Sequence, residues 1–100
     1  MSYNFFLNCP NCKTCIDIGT DSFNRSKVYR AGFGELGIRR LNGVPAPKAK
    51  DLIDSALQTL TYYEPEDETD KSDLNRATIV LNFLASECEK HPEMIFEVEV

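Results

Sequence analysis

The chain has 100 residues, 42% of them hydrophobic, which is enough for one buried core and leaves no room for a second. That balance excludes a disordered chain, and no apolar run approaches the length of a membrane span. The net charge of -5 opposes long-range approach to nucleic acid.

Met1-Ser-Tyr-Asn-Phe-Phe-Leu7 has no basic region and no long apolar core, so no signal peptide is expected, and the expected compartment is the cytoplasm. Residues 3–7 read as a strand and Ile16-Asp-Ile-Gly19 as its alternating partner. Between them lies Cys9-Pro-Asn-Cys12-Lys-Thr-Cys15, which becomes the turn of a hairpin. Thr20 or Asp21 is the expected cap of a short helix over 23–33, after which Gly34, Gly37 and Asn42-Gly43 break and turn the chain.

Pro45 and Pro47 stand where a helix start tolerates proline. Ala49, Leu52, Ile53, Ala56, Leu57 and Leu60 then follow helical spacing. Glu64–Asp70 reads as a solvated acidic loop, and Ser72 or Asp73 as the cap of a second strong helix. Its apolar stripe is Leu74, Ala77, Leu81, Leu84, Ala85 and Cys88, and Pro92 ends it. Residues 94–100 alternate as a last strand, with Met94, Phe96, Val98 and Val100 on one face and Ile95, Glu97 and Glu99 on the other.

The expected architecture is a single α+β domain over 1–100. A small antiparallel or mixed sheet, made of the N-terminal hairpin and the C-terminal strand, packs against two to three helices. The expected core is Phe5, Leu7, Leu52, Ile53, Leu57, Leu60, Leu81, Leu84, Phe96 and Val98.

Four cysteines and one histidine make the one constellation with specific chemistry. In a reducing compartment, clustered thiols point to metal or redox chemistry rather than to structural disulfides. A two-residue spacer lets both thiolates of Cys9 and Cys12 turn toward one ion, while Cys88 and His91 lie one helical turn apart. Together these four suit a structural zinc clip between the two ends of the chain, with Cys15 as the alternative ligand. The competing reading is a set of reduced thiols, with Cys88 packed as a small apolar side chain. A thioredoxin-like use of the cysteines fits poorly, because a strand rather than a helix follows them.

The run over 16–43 resembles small uncharacterised proteins of bacteriophages and bacteria. Asn24, Ser26 and Tyr29 match one of their short motifs, Phe33, Gly34, Gly37 and Ile38 a second, and His91-Pro92 the break before the last strand. The resemblance implies no reaction. It implies that Cys88 and His91 can stand at the helix end without metal. The tryptophan-containing stretch such proteins often carry before the last helix is missing, and Glu66–Asp70 stands in its place.

Charge is divided along the chain: residues 1–23 net -1, residues 24–50 net +6 and residues 51–100 net -10. Neutralisation of the basic middle by the acidic half within the fold is the plainest reading of that division. No nucleophile, base and orienting group occur together, so an enzyme is not expected. The expected function is a non-enzymatic accessory protein, phage-encoded and of the host-modulating or anti-defence kind, binding a protein partner through a charged acidic surface. The alternative is a zinc-stabilised nucleic-acid-binding module using Arg25, Lys27, Arg30, Arg39 and Arg40.

Overall fold

The first strand, β1 (Ser2–Asn8), buries Tyr3, Phe5 and Leu7 on one face and leaves Asn4, Phe6 and Asn8 half-buried on the other. Strict alternation of this kind is what a pleated strand with one covered face requires. The computed structural model describes residues 1–100. Strand β2 (Cys15–Ser22) returns antiparallel, with Phe5 opposite Gly19 but Phe6 opposite Asp17. Ile18 is therefore the extra residue of a bulge, which turns its side chain into the core. Gly19 beside it sits at φ +126°, a backbone conformation that a side chain would strain.

The strand runs on through Thr20 and Asp21, the two expected caps, and Ser22 caps instead. Its Oγ accepts from the Asn24 amide at 3.1 Å and opens a 3-10 turn, Phe23–Arg25, that leads into helix α1 (Ser26–Phe33). A second 3-10 segment, Gly37–Leu41, buries Ile38 and Leu41. Val44–Pro45 then forms a short strand, β3, where sequence reading expects the chain to pass from the Asn42-Gly43 turn into a helix start. Two residues are too few for alternation to show. The strand exists because Gly43 and Ala46 donate their amides to Phe96 and Met94 carbonyls, both at 2.8 Å.

Helix α2 (Ala46–Leu60) carries Pro47 in its first turn and buries Ala46, Ala49, Ile53, Ala56 and Leu60. Helix α3 (Glu68–Lys90) begins four residues before Ser72. Its cap is Asp67, whose carboxylate accepts from the Asp70 amide at 2.8 Å, so part of the expected acidic loop is helix. The chain then finishes in β4 (Ile95–Glu99), which lies between β1 and β3.

The fold is α+β: a four-stranded antiparallel sheet in the order β2-β1-β4-β3 packed with three helices. One core cluster of 21 residues joins sheet and helices. Seven of the ten expected core residues are buried, while Leu52, Leu57 and Val98 pack at its margin. No helix is long and apolar enough to cross a membrane.

Candidate functional site

The hairpin turn carries the cysteines at its exposed tip. The Cys9 amide donates to the Thr14 carbonyl at 2.8 Å and closes the loop. Inside it, the Cys12 amide donates to Cys9 Sγ at 3.3 Å and the Lys13 amide donates to the Cys9 carbonyl at 3.2 Å. Lys13 holds φ +58°, the one non-glycine residue of the chain in the left-handed region. The Cys12 thiol is lowered to about 7, first by its hydrogen bond with Cys9 and then by Thr14, whose Oγ1 lies 3.2 Å away.

The four residues expected to share a zinc ion lie toward one end of the sheet, because Asn8 pairs with Ile95, with Cys9 just after the one and His91 four residues before the other. Their side chains do not gather: no group of three or more His, Cys, Asp or Glu side chains is placed to hold a metal ion. Cys88 is buried at 1% exposure in the core, and that burial pushes its thiol up to about 11. His91 Nε2 faces Glu87 Oε2 at 3.9 Å. Cys15 pairs with Asn8, whose amide side chain donates to Glu97 on the uncovered face, whereas Cys9 packs against the core. Partners in register share a face, so Cys15 and Cys9 stand on opposite sides of the sheet.

The five expected nucleic-acid contacts divide into two groups. Arg25 Nε pairs with Asp21 at 3.3 Å, Lys27 Nζ with Glu66 and Asp70 at 3.3 and 3.6 Å, and Arg40 Nη1 donates to the Phe33 carbonyl at 3.0 Å. Arg30 and Arg39 enter no ion pair. Both line one cleft of about 260 Å³, with Tyr3, Phe23 and Ser26 on its wall and Glu35 among the lining residues. A wider hollow of about 640 Å³ is lined by Pro65, Glu66, Asp67, Glu68 and Lys71.

Sequence reading missed two features. The first is a buried polar cluster in which Asp21, 5% exposed, accepts from the Tyr29 hydroxyl and from the Ser22 amide. Burial and then the Asp21 carboxylate raise the Tyr29 phenol above its ordinary value. An aspartate at a strand end eight residues before a tyrosine in an amphipathic helix was the available signal.

The second is the uncovered face of the sheet. The buried strand side chains Tyr3, Phe5, Leu7, Ile18, Asp21 and Phe96 all belong to the helix-covered side. Across the other side runs a row in register, Asp17–Phe6–Glu97, with Glu99 beside Asn4 and Ile95 beside Asn8. No strand contains lysine or arginine. The acidity of this face comes from both ends of the chain, and only pairing assembles it.

No protein-family model, no curated protein and no solved structure matches the chain.

Proposed function

We propose that the protein is a non-enzymatic accessory module that docks a basic protein partner on the uncovered face of its sheet. The observation that carries this is the row Asp17–Phe6–Glu97 on a face without a single lysine or arginine. Half-buried Phe6 and Ile95 supply apolar contact area, and Asp17, Glu97 and Glu99 supply the charge that steers and orients a basic surface. The resemblance of the Asn24–Tyr29 and Phe33–Ile38 motifs favours a phage or bacterial setting for that partner. The test is affinity capture from the native cell, comparing the wild type with a variant carrying Asp17→Asn, Glu97→Gln and Glu99→Gln. A basic protein retained by the wild type and lost by the variant supports the reading. Equal recovery by both sinks it.

A second reading rests on the cleft between Arg30 and Arg39. Two unpaired guanidinium groups next to the half-buried Phe23 ring suit a phosphate followed by a base of single-stranded nucleic acid. That narrows the five expected contacts to two. A salt titration of binding to nonspecific DNA and RNA decides it, because phosphate contacts weaken steeply with ionic strength. Absence of binding even at low salt removes this reading.

A further inference from the structure

The cysteine turn closes around the sulfur of Cys9. Zinc takes four donors in a tetrahedron, and thiolates reach it in pairs when a short turn directs both sulfurs to one side. Here the Cys12 amide bonds Cys9 Sγ and the Lys13 amide bonds the Cys9 carbonyl, a double closure that curls the chain around the first sulfur. Lys13 accepts a left-handed backbone to allow it. Amides aimed at a sulfur also stabilise negative charge there, as a thiolate ligand requires.

The chain itself does not bring two further donors to this turn. Cys15 stands on the opposite face of the sheet, Cys88 is packed in the core, and His91 is turned to Glu87. Pro10 through Cys15 are exposed and Cys9 is half-buried beside them, so a second molecule can approach the tip. We infer that Cys9 and Cys12 of two copies of this chain together bind one zinc ion, joining the molecules tip to tip about a twofold axis through the metal.

The charges favour that arrangement. On binding one Zn²⁺, four neutral thiols give up four protons to the solvent, and the tetrathiolate centre keeps two excess negative charges. Lys13, the one charged residue between Cys9 and Cys15, comes twice in the dimer and offsets them. An isologous interface needs the same patch on both partners, and a two-cysteine turn is self-complementary in that sense. This inference is independent of the partner docking on the sheet face.

Light scattering after size exclusion, combined with metal analysis, tests it on protein kept reduced and loaded with zinc alone. The expected result is a doubled mass with about half a zinc ion per chain, both reversed by a chelator. Cys12→Ser, at an exposed position, abolishes both while its circular dichroism stays that of the wild type. Cys15→Ser and Cys88→Ser retain both. A chain that binds no zinc, or binds it without doubling its mass, overturns the inference. One zinc per monomer that is lost in Cys88→Ser does so in favour of a clip within the chain.

Discussion

The hydroxyl of Tyr29 in α1 donates to the carboxylate of Asp21 at the end of β2, and both groups are closed off from solvent. The bond ties the first helix to the open edge of the sheet. Around it, Arg25 Nε approaches the second carboxylate oxygen at 3.3 Å, and Tyr3 in β1 shares a 2.6 Å hydrogen bond with Ser26 at the start of the same helix. Substituting Tyr29→Phe keeps the ring and removes one donor from a buried carboxylate. The expected cost is about 1–3 kcal/mol in urea unfolding at neutral pH. A loss below a few tenths of a kcal/mol would show that the bond contributes nothing.

The same bond sets an alkaline limit. The Tyr29 phenol is held above its ordinary value by burial and by Asp21, so the unfolded chain gives up that proton more readily than the folded one. Stability from Tyr29 is complete below about pH 10 and declines as the pH rises past that value. In a spectrophotometric titration, Tyr29 ionises only together with unfolding. Ionisation of every tyrosine in the folded chain would refute this.

Asp70 governs the acid side. Its carboxyl lies below the ordinary value because the Glu66 amide donates to it at 2.9 Å, the Tyr63 hydroxyl at 2.7 Å to the other oxygen, and Lys27 stands 3.6 Å away. The folded chain therefore binds this proton more weakly than the unfolded chain. Its contribution is fully present above the unfolded value near 4 and disappears as the pH falls through the lower folded value. Asp70→Asn is expected to lower the melting temperature at neutral pH and to flatten its fall between pH 5 and roughly pH 2. A variant melting in parallel with the wild type at every pH would exclude the role.

Burial and hydrogen bonding separate the thiols. Cys12, exposed and lowered to about 7, is expected to alkylate first, with a rate rising through neutral pH. Cys88, buried and pushed up to about 11, reacts only on unfolding. Mass spectrometry of a timed alkylation at pH 6, 7 and 8 reads the order, and early labelling of Cys88 would contradict the packing of α3.

How far the sequence carries this picture depends on the range of the interactions involved. The hairpin, α2 and β4 were legible because each shows its own period, as in Tyr3, Phe5 and Leu7 or Ala49, Ile53, Ala56 and Leu60. The start of α3 was not, because Asp70 is stabilised inside by Tyr63 and by Lys27, the latter from a distant helix. Ile38 and Leu41 were hidden too, since a 3-10 segment lacks the helical repeat that marks core positions. The cysteine spacing was visible at once. That Cys15 faces away from Cys9 follows only from the register with Asn8.

Gly32 decides how closely α1 and α2 approach. A Cβ built there meets Leu60 Cγ at 3.2 Å and Ala56 Cβ at 3.3 Å, both tighter than ordinary contact. Alanine raises helix propensity by about 1 kcal/mol at such a site. The contact opposes that gain, but Leu60 lies at the end of α2 and its side chain can give a few tenths of an ångström. Gly32→Ala should therefore remain within about 1 kcal/mol of the wild type in urea unfolding. Valine adds two methyl groups with no room to move and costs about 1–3 kcal/mol through overpacking. A valine variant as stable as the alanine one would mean that the helices separate freely, and that the glycine reflects no close approach.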